Sequence, residues 1–189
     1  MLSAILLAAG KSQRMGKLKQ LMPLGKSTIV GQAIDNLLSS AVDEIIVVLG
    51  HRAEEITKTI APRPVKIAIN PDYPQGMSTS IIAGLNLVSS QAQAVMLALG
   101  DQPFTSSQTI NQLIAEFYNH DKGIAIPTYQ GKGGHPIIFA IKYKQELLEL
   151  KGDIGGREII KRHPQDVLEV AVDSESVTAD IDTREDYPA

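Results

Sequence analysis

The sequence predicts an α/β fold built on a mostly parallel central sheet. Three observations lead there. Short apolar, β-branched runs alternate with helix-length segments, the early runs are apolar almost without interruption, and no repeat, low-complexity tract or linker divides the 189 residues. Strands buried on both faces read as continuous apolar runs, as in a parallel sheet, and strand–helix alternation is the pattern of a layered α/β fold. A chain of this length fits a single domain, residues 1–189, that can bury a full core.

Taken in order, the predicted strands are Ala4–Leu7, Ile45–Leu49, Val65–Ile69, Val95–Leu99, Ile124–Ile126, Ile137–Phe139 and Val167–Val172, with a further β-like stretch at Val177–Ile181. Helix-length segments fall between them at 28–39, 52–60, 78–89, 106–118, 141–150 and 156–163. Thr105-Ser106-Ser107-Gln108 has the form of a capping box, with Thr105 as the expected cap of the fourth helix. Pro62–Pro64 and Asn70–Gly76 read as loops. The apolar stretch Leu2–Ala9 lacks a basic segment before it, so a buried first strand is expected rather than a signal peptide.

Composition narrows the function. Lys+Arg 18 against Asp+Glu 21 gives −3, with a pI near 5.8, which argues against a general nucleic-acid binder. Aromatics at 4% and no Trp leave little for base-stacking platforms. With no Cys there are no disulfides, Fe–S clusters, zinc ribbons or thiol nucleophiles, and the composition fits a reducing cytoplasm. No apolar run approaches the roughly 18–20 residues that span a bilayer.

In open α/β sheets, ligands bind beyond the carboxyl ends of the strands, so the segments after the first and fourth strands matter most. After the first come Gly10, Ser12 and Gly16, which permit tight turns, and Lys11, Arg14, Lys17 and Lys19, four positive charges in nine residues. Exposed N–H groups with cations suit the oxygens of a triphosphate. The loop is not a Walker A motif, because Gly10 to Lys17 is one residue too long and ends in Leu18, while Gly25-Lys26-Ser27 has Gln20 where the first glycine belongs. It is not a dinucleotide fingerprint either, since Ser12 stands two residues after Gly10.

Leu7-Ala8-Ala9-Gly10-x-Ser12-x-Arg14-Met15-Gly16, with Lys19 and Pro23 downstream, resembles the signature of nucleotidyltransferases with a three-layer Rossmann-like, GT-A-type fold. The molybdenum cofactor cytidylyltransferase branch is the nearest likeness. It extends through Asn70–Gly84, Gly100-Asp101-Gln102-Pro103, Gly134-His135-Pro136, Gly152-Asp153-x-Gly155-Gly156-Arg157 and Asp180-Ile181-Asp182-Thr183-x-Glu185-Asp186. Leu18 and Arg184 stand where Pro is common, and Tyr73 where Trp is frequent. The resemblance implies transfer of CMP from CTP to the terminal phosphate of molybdopterin, with release of pyrophosphate. Arg14 and Lys19 would lie against the phosphates, and Leu7, Ala8, Ala9, Gly10, Ser12, Asn70, Gly76, Ser78, Ser80 and Gly100 would make up the rest of the nucleotide site.

Asp101 follows an apolar run and a glycine, so its carboxylate is expected at the sheet's carboxyl edge, beside the triphosphate, as a ligand for Mg²⁺ or, in its place, Mn²⁺. Asp182 is the candidate second metal ligand and Asp180 the reserve, against the alternative of a solvated acidic tail. The small polar residues opening the third helix, Gly76 to Ser80, are expected to offer free N–H groups and hydroxyls to a pyrimidine edge, with a plain helix terminus as the alternative. Ala9, where guanylyltransferase relatives commonly carry Gly, leans the choice toward CTP. His135 and Arg157 are candidates for the acceptor and its phosphate, against a turn histidine and a surface ion pair. Handover to a client molybdoenzyme is a further implication that no residue marks. The competing readings are a guanylyltransferase, a nucleotidyltransferase for a sugar or alditol phosphate, and a non-catalytic carrier of nucleotide or cofactor.

Overall fold

A computed structural model describes residues 1–11, 18–181 and 186–187. Ser12, Arg14 and Asp182, three of the predicted site residues, lie outside them. The strands are β1 (Leu2–Ala8), β2 (Pro23–Leu24), β3 (Ser27–Thr28), β4 (Glu44–Leu49), β5 (Lys66–Ile69), β6 (Ala94–Leu99), β7 (Ile124–Tyr129), β8 (Lys132–Gly133), β9 (Ile137–Ala140) and β10 (Val167–Ala171). The helices are α1 (Ile29–Leu38), α2 (Ala53–Ile60), α3 (Met77–Leu85), α4 (Ser107–Asn119), α5 (Lys144–Leu148) and α6 (Arg157–Arg162).

The main sheet runs β10-β7-β9-β6-β1-β4-β5, with β8 paired to β7, while β2 and β3 form a separate ribbon. β1 is parallel to both β4 and β6, and β9 lies antiparallel between β6 and β7. Apolar layers cover both faces, as the near-continuous apolar strands require. Leu2, Ala4, Leu6 and Ala8 of β1 face a core completed by Val30, Ile34, Ile56 and Leu113 from α1, α2 and α4. Ile5 faces the other core with Ile81, Leu85, Leu147 and Ile159 from α3, α5 and α6. The result is a three-layer α/β arrangement. After β1 the chain builds outward through β4 and β5 and then returns to β6 on the opposite side. That reversal opens a crevice beyond the carboxyl ends of β1 and β6.

Several predicted boundaries move, each because a long-range bond takes over. The third helix ends at Leu85, since Val88 turns into the core and the Ser89 N–H donates to Glu44 Oε2 at 3.1 Å. The segment at 141–150 opens as a tight turn, where the Ile141 N–H donates to the Gln93 carbonyl at 2.8 Å, and becomes α-helical only at Lys144. Ser106, not Thr105, caps α4 by accepting the Thr109 N–H at 3.1 Å. Thr105 is buried instead and donates to the Ser176 carbonyl at 3.2 Å. Val177–Ile181 forms no strand, because its backbone is tied to loops: the His135 N–H donates to the Val177 carbonyl at 2.8 Å and the Ile181 N–H to the Asp101 carbonyl at 3.0 Å. No helix among the described residues is long and apolar enough to cross a membrane.

Away from the crevice, Asp166 ties the β10 entry to its neighbours. It accepts from the Gly123 N–H at 2.9 Å, Lys142 Nζ at 2.7 Å and the Tyr143 hydroxyl at 2.5 Å. Burial works against its charge, but the bonds from Lys142, Tyr143 and Gly123 outweigh it and hold the carboxyl down at about 2. The folded pKa is therefore below the unfolded one. The stability that Asp166 contributes is complete above the ordinary carboxylate range and is lost as pH falls through it toward 2. Asp166→Asn should cost about 1–3 kcal/mol at pH 7. In urea titrations the gap between wild type and variant should narrow from pH 5 to pH 2; a gap independent of pH would refute this account.

Candidate active site

The parallel strands deliver their following loops to one edge. There Gly100 donates its N–H to the Leu7 carbonyl at 2.9 Å, the His51 N–H reaches the Ala9 carbonyl at 3.1 Å, and the Asn70 N–H reaches that of Leu49 at 2.7 Å. A Cβ on Gly100 would lie 2.9 Å from that of Ala8, so only glycine lets the turn after β6 press against the end of β1. This close approach carries Asp101 to the crevice. Lys19 returns to it through the short turn Lys19–Leu21, and its Nζ stands 2.9 Å from Asp101 Oδ2. The Lys19 side chain is 9% exposed and that of Asp101 30%, so the cation is enclosed while the carboxylate keeps one side open to the crevice.

The crevice has two adjoining lobes. The smaller, about 330 Å³, is lined by Ala9, Gly10, Gly76, Ser80 and Asp101. The larger, about 590 Å³, is lined by Lys132, Gly133, His135, Gly156 and Arg157. Leu7, Leu99, Met77 and Asp180 belong to both, forming the floor and the partition. Both volumes are in the range of small-ligand sites.

Of the predicted nucleotide residues, Leu7, Ala9, Gly10, Gly76 and Ser80 line the smaller lobe, and Lys19 is paired to its Asp101. Ala8 and Gly100 meet at the strand ends, and Asn70 and Ser78 stand behind the lobe. Asn70 is 3% exposed, and its amide is spent on Asp72, Thr79 and Ser80, so it is a scaffold rather than a contact. Ser78 is 1% exposed, and both its N–H and its hydroxyl donate to the Gly152 carbonyl, at 3.2 and 2.7 Å. The expected free start of α3 is in fact covered: the Met77 N–H donates to Asp153 Oδ1 at 3.2 Å and the Thr79 N–H to the Gly76 carbonyl at 3.3 Å. Helix termini leave N–H groups unpaired, and here the 152–153 loop supplies the missing acceptors.

In the larger lobe Arg157 is exposed, and its Nη2 donates to the Gly133 carbonyl at 3.3 Å. It starts a helix of six residues, Arg157–Arg162. Burial, and then the charge of Arg157, push the His135 imidazole down to about 4. His135 is therefore neutral at pH 7, which leaves Arg157 and Lys132 as the cations lining the larger lobe among the described residues.

Gln20, Gln102 and Asp153 were not singled out from sequence. Gln20 donates to the Gly10 carbonyl at 2.9 Å and ties the Lys19–Leu21 turn to the residues just after β1. Gln102 donates to Asp180 Oδ1 at 2.7 Å and holds that carboxylate at the partition. Asp101 and Asp180 thus present hard oxygen donors on the smaller lobe, a donor set that fits Mg²⁺ or Mn²⁺ completing its shell with phosphate oxygens. Among the described residues no group of three or more His, Cys, Asp or Glu side chains is placed to hold a metal ion.

Known proteins place this architecture. Residues 4–167 match the MobA-like NTP transferase domain. The chain is 29% identical to the molybdenum cofactor cytidylyltransferase of Escherichia coli, over 98% of this chain and 93% of that protein. It is 28% identical to the nicotine blue oxidoreductase of Paenarthrobacter nicotinovorans, over 97% and 93%. Among solved structures, Rv0371c of Mycobacterium tuberculosis superposes with a TM-score of 0.89 at 31% identity, over 98% and 94% of the two chains. A structure of Rv0371c in complex with manganese gives 0.84 at 29%, over 98% and 95%. The chain belongs to the MobA-like NTP transferase family and is a nucleotidyltransferase.

Proposed function

We propose that this nucleotidyltransferase moves CMP from CTP to the terminal phosphate of a molybdopterin-type acceptor and releases pyrophosphate. The observation that carries the reading is the Lys19–Asp101 pair beside a crevice with two adjoining lobes, room enough for two substrates. An oxygen of the acceptor phosphate attacks the α-phosphorus, the bond from the α-phosphorus to the bridging oxygen breaks, and pyrophosphate leaves with the electron pair. The acceptor phosphate is already ionised at neutral pH, so no general base is needed. Phosphoryl-type transfer depends chiefly on position and electrostatics. Lys19, enclosed and oriented by Asp101, offsets the negative charge of the triphosphate, while Lys132 and Arg157 draw the acceptor's phosphate into the other lobe. Asp101 and Asp180 would hold Mg²⁺ or Mn²⁺, which neutralises phosphate charge when bound, and the manganese complex of Rv0371c supports a divalent ion.

The cytidylyltransferase and the oxidoreductase are about equally similar to this chain, so the assay must decide. Pyrophosphate release is measured with CTP, GTP and ATP in turn, with Mg²⁺ and molybdenum cofactor. Release with CTP alone, dependent on the cofactor, is expected. Preference for GTP would overturn the reading of Ala9, and silence with all three would refute the transfer to this acceptor.

A further inference from the structure

We propose that Asn70 is a positioning residue that fixes the Ser80 hydroxyl as a donor to an acceptor atom on the base of the bound nucleoside triphosphate. The proposal rests on the nucleotidyl-transfer reading and adds how the smaller lobe recognises a base.

The argument follows hydrogen-bond polarity along a short chain of groups. The Asp72 backbone N–H lies 3.0 Å from Asn70 Oδ1. A backbone N–H can only donate, so it fixes which end of the Asn70 amide is the oxygen. The amide nitrogen must then face the other way, where it lies 2.9 Å from Ser80 Oγ and 2.9 Å from Thr79 Oγ1. An NH₂ group only donates, which makes Ser80 Oγ an acceptor and turns its own O–H elsewhere. The neighbouring Thr79 hydroxyl is committed, with the Asp72 and Gly76 carbonyls at 3.0 and 2.9 Å. The Ser80 hydroxyl has no such acceptor among the described residues, and Ser80 lines the smaller lobe.

Its surroundings in the lobe decide what it meets. Ala9, Tyr73 and Met77 give an uncharged wall, and among the described residues the charged side chains lining the lobe are the carboxylates Asp101, Asp153 and Asp180. A flat neutral ring fits the uncharged part of the wall beside Ser80, while the triphosphate belongs toward the Lys19–Asp101 pair. One inward donor then pairs with a carbonyl oxygen or unprotonated ring nitrogen of such a ring, a group that cytosine presents. Burying that acceptor without a partner would forfeit its hydration.

Asn70→Asp tests the polarity with almost no change of shape. A carboxylate only accepts: it keeps the Asp72 N–H and takes the Ser80 O–H, so the hydroxyl turns its lone pairs toward the base. CTP binding with Mg²⁺ is measured by calorimetry for wild type, N70D, S80A and the double variant, with melting temperatures as the check on folding. Each single change should weaken binding about tenfold. In the S80A background N70D should add almost nothing, because no hydroxyl remains to be oriented. An equal loss from N70D in both backgrounds would show that Asn70 acts through charge or packing and overturn the proposal. Wild-type binding left unchanged by the single variants would overturn it too, leaving nucleotidyl transfer intact. A wild type that binds none of CTP, GTP and ATP would overturn both.

Discussion

Asp101→Ala is expected to lower pyrophosphate release by a factor on the order of 10² or more. The change removes a carboxylate that holds Lys19 Nζ at 2.9 Å and keeps its other side open to the smaller lobe. It therefore takes away an orienting partner and a hard oxygen donor together. It also leaves the Lys19 ammonium, on a side chain 9% exposed, without that partner, which costs stability. Asp101→Asn separates the effects. The amide keeps the volume but cannot neutralise Lys19 or serve as an anionic ligand, so activity should fall nearly as far as in the alanine variant. Activity in Asp101→Asn within threefold of wild type, at equal melting temperature, would remove Asp101 from the chemistry.

The position of this pair was legible because it depends on topology. Continuous apolar runs identified β1, β4 and β6, and the rule for open α/β sheets directed attention to the residues following them. Asp101 is legible on that ground; Lys19 is one of four cations in the loop after β1, and only the family resemblance singles it out, with Arg14, from Lys11 and Lys17. What stayed hidden depends on contacts distant in sequence. Gln102 meets Asp180 across 78 residues and Met77 meets Asp153 across 76, and no local pattern shows that these pairs meet. The same cause moved the cap of α4 from Thr105 to Ser106: both can cap, and only the remote Ser176 carbonyl takes Thr105 away. The antiparallel direction of β9 is equally silent in its apolar sequence, which fits a strand of either direction. Asn70 and Ser78 belong to segments at the crevice but stand one layer behind its surface, a distinction set by burial rather than by motif.

Gly76→Ala should both destabilise the fold and weaken nucleotide binding. Gly76 precedes α3 with φ +117° and ψ 173°, a region that residues with a side chain rarely adopt. An added Cβ would lie 2.4 Å from the Gly152 carbonyl carbon and 2.5 Å from the Asp153 nitrogen, so the 152–153 loop has to move. Strain and displacement together should cost about 3 kcal/mol, or roughly 6–12 °C in melting temperature for a chain of this size. The shift also pulls the loop from the bonds it makes to the Met77 N–H and to Ser78, so the wall of the smaller lobe loses its shape. Gly152→Ala is the informative comparison. Its φ is +70°, but a Cβ there meets nothing within 4 Å, leaving only the backbone cost of about 1–2 kcal/mol. Melting curves and CTP calorimetry on both variants should therefore diverge: a modest loss of stability with near-normal affinity for Gly152→Ala, and a large loss of both for Gly76→Ala. If the two variants behave alike, the close contact between α3 and the 152–153 loop is not what shapes the nucleotide lobe, and backbone conformation alone explains why glycine is needed at Gly76.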